Sequence, residues 1–355
     1  MRYIGNKTKL LDFIGRVLRA RGIRPGTAVD PFTGTASVAR ALKRRGWRVI
    51  ASDVMEYAYV FARAYVQVAR PPDFRALGGD VGARVPTLGQ VVAYLNGLTA
   101  EPGFLHRTFT PGGEEGRRND RMYFTPENAA KVDTIRATLE GWRRDRRIDG
   151  DGFALLLAAL LEAADRVANT AGVYAACIKS WQSNALRPLE LRAPRVVRRN
   201  GCRALRADAA TLVAGLEPFD LLYIDPPYNA RQYPGYYHIP ELIAMGWFDG
   251  PVRLRGKTGL LQDADKRSDW ARRQRCEAAL ETLVASARCR HIVMSYNSEG
   301  IIPEPSIERI LKRYGRAGTY RKYTRRYRRY RSDADGARRT YRGDSVEEYL
   351  FCIDR

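Results

Sequence analysis

Thr27-Ala28-Val29-Asp30-Pro31-Phe32-Thr33-Gly34-Thr35-Ala36-Ser37-Val38-Ala39 holds the fold in miniature. Thr27–Asp30 reads as a short strand that ends on an acid, and a loop with a single glycine follows. The segment from about Ala36 to Arg45, with Gly46 just past it, reads as a helix with its glycine stop. Trp47–Ser52 is a second strand, again ending on an acid, Asp53. Val54, Tyr57, Ala58, Phe61, Ala64, Tyr65 and Val68 then recur with the 3.6-residue period of a helix. Together with a helix at the N-terminus, the first 70 residues alternate helix and strand, which is the pattern of an α/β chain with a parallel sheet.

The alternation stops at Pro71 and resumes near residue 200. Between them lies a mostly helical stretch that reads as an insertion. Thr125-Pro126-Glu127 starts a helix with a cap, a first-turn proline and an early acid, running to Trp142 or Arg143. Asp151 opens an Ala/Leu-rich helix through about Ala168, apolar on most sides and therefore buried. Downstream, Arg203–Ala207 leads to Asp208 and Phe219–Ile224 leads to Asp225. Further strands are read at His291–Tyr296, Thr319–Tyr330 and Glu347–Ile353, with a helix near Ile307–Tyr314. Of these seven strands, four end on acids: Asp30, Asp53, Asp208 and Asp225. Open α/β sheets bind ligands beyond the carboxyl ends of their strands, so these acids mark a site.

Composition narrows the function. The 355 residues carry 61 Lys+Arg against 39 Asp+Glu, a net charge of +22. Of the basic residues 52 are Arg, a ratio that coding bias alone explains as well as function does. The net excess is a different matter and favours a polyanionic partner. Residues 312–342 hold thirteen basic and two acidic side chains. Within them, Tyr320–Arg331 packs seven basic and four Tyr residues into twelve, a pattern suited both to a phosphate backbone and to guarding a sheet edge. The five Cys are scattered and the three His lack metal spacing, which argues against a disulfide scaffold and a metal site. No apolar run approaches the about 18 residues that span a bilayer, and the N-terminus lacks the apolar core of a signal peptide. A reduced, cytoplasmic protein without membrane attachment is expected.

The sharpest chemical signal is Asp225-Pro226-Pro227-Tyr228 directly after the apolar strand. This turn after a strand resembles the catalytic motif of DNA methyltransferases that act on exocyclic amines. An adenine amine, the target that the resemblance implies, is a poor nucleophile because its lone pair is delocalised into the ring. A carboxylate at Asp225, with the Pro226 carbonyl beside it, offers two acceptors for the amine hydrogens, while proline contributes no competing N–H donor. Tyr228 supplies a ring on which a base can stack, a contact that is worth about 1–3 kcal/mol in general.

Three motifs in this order resemble the α-group DNA adenine methyltransferases: Tyr3-Ile4-Gly5-Asn6-Lys7 first, Asp30-Pro31-Phe32-x-Gly34 second, and Asp225-Pro226-Pro227-Tyr228 last, after a long insertion. Asn229 to Tyr233, Gly256-Lys257-Thr258-Gly259, Ser295 to Gly300 and Glu348-Tyr349-Leu350-Phe351 extend the likeness to the restriction-modification type. The resemblance implies a Rossmann-like methyltransferase fold, a seven-stranded sheet with a reversed last strand, built from 1–70 and 196–355. It makes 71–195 a helical target-recognition insertion. It also implies S-adenosylmethionine (AdoMet) as cofactor, held by Tyr3, Gly5, Asn6, Lys7, Asp30, Pro31, Phe32, Gly34, Asp53, Asp208 and Asp225. In that scheme Lys7 neutralises the cofactor carboxylate, Asp53 accepts ribose hydroxyls and Asp208 lies near the cofactor adenine; a helix cap at Asp53 is equally open, and a strand-end cap is the alternative at Asp208. Arg231, Lys257, Arg325, Arg326, Arg328 and Arg329 are the candidate DNA contacts. The implied substrate is a flipped-out adenine in duplex DNA, modified by a monomer whose cognate restriction endonuclease acts separately. An RNA adenine methyltransferase and a non-catalytic basic DNA-binding protein are the alternatives.

Overall fold

The computed structural model describes residues 1–262, 267–328 and 345–355. One seven-stranded sheet contains β1 (Thr27–Asp30), β2 (Arg48–Asp53), β3 (Arg203–Arg206), β4 (Phe219–Ile224), β5 (Cys289–Asn297), β6 (Arg321–Arg328) and β7 (Ser345–Asp354). Their spatial order is β3-β2-β1-β4-β5-β7-β6. The first five run parallel, whereas β7 lies antiparallel between β5 and β6. This is the Rossmann-like sheet with a reversed last strand. Each of the seven strands read from sequence is present, Thr27–Asp30 and Phe219–Ile224 with the ends read and others shifted by a few residues; the end read at Tyr330 lies outside the described residues.

The central strand β4 is almost wholly buried because a parallel strand is covered on both faces, so it reads as an apolar run rather than an alternation. On one face Leu222, Ile224, Ile292, Met294, Phe351 and Ile353 form a common core. Three helices close it: Ala209–Ala214 through Val213, Cys276–Ser286 through Leu280 and Leu283, and Glu304–Tyr314 through Ile307 and Ile310.

The chain forms two compact units. One comprises Met1–Ile4, Met55–Arg198 and Tyr233–Lys266, and the other Gly5–Val54, Arg199–Gln232 and Arg267–Arg355. The helical unit thus takes in 55–70 and 233–266 besides 71–195. Long-range hydrogen bonds within it explain why. Glu241, in helix His238–Met245, accepts from the backbone N–H groups of Glu56 and Tyr57 at 2.9 and 3.1 Å. Tyr174 N–H donates to Tyr236 O at 2.8 Å. The turn carrying Gly256 and Lys257, between the short paired strands Leu254–Arg255 and Leu260–Leu261, is held through both residues' carbonyls by the Arg121 guanidinium.

Helix Pro126–Arg144 starts as its sequence indicates, with the Thr125 hydroxyl accepting from Asn128 N–H. Helix Gly150–Val167 is capped by Asp149 rather than Asp151. Asp149 has the extended backbone that a cap requires, and its carboxylate accepts from Gly152 N–H at 2.7 Å. Asp151 sits inside the first turn and pairs with Arg63 at 3.1 Å.

A buried ion cluster ties helix Pro126–Arg144 to the 233–266 segment. Arg136, 1% exposed, donates to Ile243 O at 2.9 Å and to Glu140 at 3.0 Å, and its guanidinium lies over the rings of Phe153 and Phe248. Burial alone would raise the Glu140 carboxyl, but hydrogen bonds from Arg143, Arg136 and Arg144 outweigh it and hold the group at about 2. Glu140→Gln removes the charge opposite a buried guanidinium, so a loss of about 3 kcal/mol in stability is expected. Thr125→Ala removes one cap from the same helix and is expected to lose about 1 kcal/mol. Urea unfolding followed by tryptophan fluorescence measures both; equal losses would mean that the Arg136 cluster contributes no more than a cap.

Candidate active site

β1 and β4 are neighbours, but β1 continues to β2 on one side while β4 is flanked by β5 on the other. At such a reversal of strand order the loops diverge and leave a crevice. Asp30 ends β1, Asp53 ends β2 and Asp225 directly follows β4.

The loop after β1 is fastened to the end of β2. Thr33 N–H donates to Ser52 O at 3.0 Å, and Gly34 N–H donates to the Asp53 carboxylate at 2.9 Å. Gly34 adopts φ 49°, a conformation that glycine reaches without strain. Phe32 stands edge-on to Trp270 with ring centroids 4.8 Å apart, and Pro31 is buried. Asn6 reaches this loop from the N-terminal segment, donating to the Thr35 hydroxyl at 3.4 Å while accepting from Thr8 N–H at 2.8 Å. Asp30 is 2% exposed. One of its oxygens accepts from the Thr33 hydroxyl at 3.4 Å, and the other, Oδ1, has no hydrogen-bond partner. Burial, with the Asp225 charge adding to it, pushes the Asp30 carboxyl up to about 8.

The Asp225–Tyr228 turn is organised around Lys7. Gly5, at φ 80°, bends the chain so that its own carbonyl accepts from the Lys7 ammonium at 3.1 Å. The ammonium also lies 3.0 Å from Asp225 Oδ1 and donates to the Tyr228 hydroxyl, which in turn donates to the same Asp225 oxygen. Both contacts use Oδ1, so neither occupies Oδ2. Pro226 is buried, and Pro227 partly so. Burial raises the Asp225 carboxyl above the usual range, against the pull of Lys7 and Tyr228. A fourth group, Glu348 of β7, approaches Lys7 at 3.9 Å through an oxygen without any hydrogen bond.

Several sequence-derived assignments take on a different local setting. Lys7 meets Asp225 and Glu348, and its side chain is 2% exposed. The Tyr228 ring, 9% exposed, packs edge-on against Tyr296 at 5.0 Å instead of presenting an open face to a base. Asp208 caps helix Ala209–Ala214 by accepting from Ala210 and Thr211 N–H. Tyr3 lies in the helical unit, stacked on Tyr237 at 4.7 Å and near Tyr57 and Tyr233.

Among the basic candidates, Arg231, Lys257 and Arg326 are exposed. Arg325 lies over the Phe13 ring and faces Glu348 across the β6–β7 pair. Arg328 ends the described part of β6, and Arg329 lies outside the described residues. Sequence alone shows Glu348 only as part of a motif. Its signal is an acid on the same strand face as Leu350 and Cys352, inside an otherwise buried run.

Comparison with known proteins identifies the family. The family model for D12 class N6 adenine-specific DNA methyltransferases matches residues 3–260. Type II methyltransferase M.NlaIII of Neisseria lactamica is 33% identical over 359 residues, covering all of this chain and 99% of that protein. Type II methyltransferase M.FokI of Planomicrobium okeanokoites is 35% identical over 363 residues, and M.CviAII of Paramecium bursaria Chlorella virus 1 is 29% identical over 365. The chain spans about half the length of M.FokI, 53%, and nearly all of M.CviAII, 97%. No solved structure matches. From its third residue through the ribbon at 260, the chain belongs to the D12 class of N6 adenine-specific DNA methyltransferases.

Proposed function

We propose that the protein transfers a methyl group from AdoMet to the 6-amino group of an adenine flipped out of duplex DNA, as the modification half of a restriction-modification pair. The observation that carries this reading is the Asp225 carboxylate at the strand-order reversal, gripped on one oxygen by Lys7 and Tyr228. Family membership supports the reaction, and the names of the Type II relatives support the restriction-modification role. A monomer acting in the cytoplasm, with an endonuclease working separately on the same sites, is the arrangement we infer.

The residues fit such a cofactor. Asp30, Asp53 and Asp225 stand at the carboxyl ends of three adjacent strands, and Asp30 keeps an oxygen with no hydrogen bond. A buried surplus of acids suits a cationic ligand carrying hydroxyls. Asp30, Pro31, Phe32 and Gly34 would hold the cofactor from the β1 loop, Asp53 from β2, and Gly5 and Asn6 from the N-terminal segment. When bound, AdoMet supplies an electrophilic methyl group on a sulfonium sulfur.

The chain's own contribution is alignment and acceptance of hydrogen bonds. Asp225 Oδ2, left over by Lys7 and Tyr228, accepts one amine hydrogen, and the Pro226 carbonyl accepts the other. Holding both hydrogens draws the nitrogen away from conjugation with the ring and toward the methyl donor. Lys7 and Tyr228 orient the carboxylate through Oδ1 while the amine is held. Tyr228 fastens Asp225 in this arrangement, and its ring becomes available to a base only when that hydroxyl lets go. For the DNA itself we assign the helical segment 71–195 to target recognition, and Arg231, Lys257 and the β6 arginines to the phosphate backbone.

Asp225→Ala is expected to bind AdoMet and DNA normally by calorimetry and gel shift, yet to lose methyl transfer by about 10³-fold. Near-normal turnover would sink the assignment. Tyr228→Phe keeps the ring and removes the hydroxyl. A drop of about tenfold in kcat with KM for DNA unchanged is expected, the size of one hydrogen bond to a charged group. Unaltered kcat would return Tyr228 to a stacking role alone. Replacing Arg326, Arg328 and Arg329 by Ala should weaken DNA binding. The slope of log affinity against log salt should fall by about one for each phosphate that is no longer neutralised; an unchanged slope would place β6 away from the DNA.

A further inference from the structure

Moving a methyl group onto the amine breaks the methyl–sulfur bond, forms a nitrogen–methyl bond and releases one proton from nitrogen. That proton needs an acceptor, and Asp225 alone is poorly placed to keep it. A protonated Asp225 no longer balances Lys7, which would leave a buried ammonium with neutral neighbours on that side.

Glu348 answers this requirement by position. The β7 register pairs it with Asn297 of β5 on one side and Arg325 of β6 on the other. Its side chain is 9% exposed, and its Oε2 has no hydrogen bond although it lies 3.9 Å from the Lys7 ammonium. All three N–H groups of Lys7 already have partners: Gly5 O, the Tyr228 hydroxyl and Asp225 Oδ1. Glu348 Oε2 is therefore an unused acceptor beside the Lys7 ammonium. Once Asp225 is protonated, its hold on Lys7 weakens and an N–H of Lys7 is free to turn toward Glu348.

We propose that Glu348 is the proton acceptor of the methyl transfer, reached from Asp225 through Lys7. The amine proton passes to Asp225 and the carboxyl turns to present it to Lys7. Lys7 delivers one of its own protons to Glu348 and takes that of Asp225, so the ammonium and the Asp225 carboxylate are both restored. Net, a proton leaves nitrogen and appears on Glu348, which loses it to water when the site opens. The proposal rests on Asp225 as the group that holds the amine.

The groups facing Glu348 are Lys7, Asp225 and Tyr228 at the turn after β4, Tyr223 of β4, Asn297 of β5 and Arg325 of β6. Burial raises its carboxyl to about 7, with Lys7 opposing and Asp225 assisting. Only the ionised form accepts a proton. The rate should therefore rise as pH climbs through that value and level off above it.

Single-turnover methylation of duplex DNA across pH 5.5–9, in wild type and Glu348→Gln, tests the idea, the range being roughly two units either side of neutrality. Expected is a rising limb in wild type that disappears in Glu348→Gln, with the plateau rate lowered by about 10²-fold and AdoMet affinity within about twofold of wild type. Glu348→Asp, which keeps a carboxylate, should retain the limb. A wild-type rate in Glu348→Gln, or a limb that persists in it and so belongs to Asp30 or Asp225, overturns the proposal. Should Glu348→Gln not fold, wild type alone decides in weak buffer with an indicator dye. The proton should appear after the methyl transfer, together with product release, and simultaneous appearance overturns the proposal. Activity retained in Asp225→Ala would instead undermine the reading of the site itself, so the two failures are distinguishable.

Discussion

Burying the Lys7 ammonium is the constraint on which the catalytic unit depends. Taking an amine cation out of water leaves a penalty of several kcal/mol unless its N–H groups and its charge are all answered. The answers come from three distant parts of the sequence: the Gly5 carbonyl, the turn Asp225–Tyr228, and Glu348. The two distant partners come close to Lys7 only through the strand order, which brings the loop after β4 and the reversed strand β7 into one unit with the segment that begins at Gly5. The reversed strand thus has a chemical role. A parallel final strand would present its residues in the opposite sense and would not put Glu348 level with Asn297.

The same economy of charge explains the perturbed acids. Two of the carboxyls, Asp30 at about 8 and Glu348 at about 7, are raised chiefly by burial, with Asp225 adding to each. A buried carboxyl that no cation fully answers keeps its proton to a higher pH, and a cationic ligand beside it would reverse that shift. Asp53 is answered differently, by accepting from Gly34 N–H, a bond that also shapes the loop. Charge and backbone geometry are here the same problem, since the glycine that permits the loop's left-handed turn is also the donor to the Asp53 carboxylate.

How much of this could be read from sequence depended on whether the determining contact was local. Strands β1, β2 and β4 were legible because their buried residues run up to an aspartate at or just past the strand end. The Thr125 cap was legible because it reaches only three residues ahead. Asp149 was missed for Asp151 because both are acids before the same apolar run, and only backbone angle separates them. The membership of 233–266 in the helical unit had no local signal at all. It is set by Arg136 and Glu241 reaching across 107 and 185 residues. Tyr3 and Lys7 read as one motif, yet fall in different compact units, with the boundary at the Gly5 turn. Glu348 was visible as an acid on a buried strand face but had no meaning until register set it beside Lys7.

The distribution of charge follows the same division between buried and exposed. A DNA adenine methyltransferase meets two ligands of opposite sign, a polyanion and, on the proposed reading, a sulfonium cation. Asp30 and Glu348 are buried, where interactions are little weakened by salt, whereas Arg326 is exposed, where a charge acts through water within about 8 Å at physiological ionic strength. Two opposite fields can coexist in one chain only when they act through different media. Salt then loosens the grip on DNA while leaving the buried chemistry nearly untouched. The net charge of +22 is therefore the visible half of the design. The other half is a small group of acids, Asp30 and Glu348 among them, set in the interior where burial raises their carboxyls.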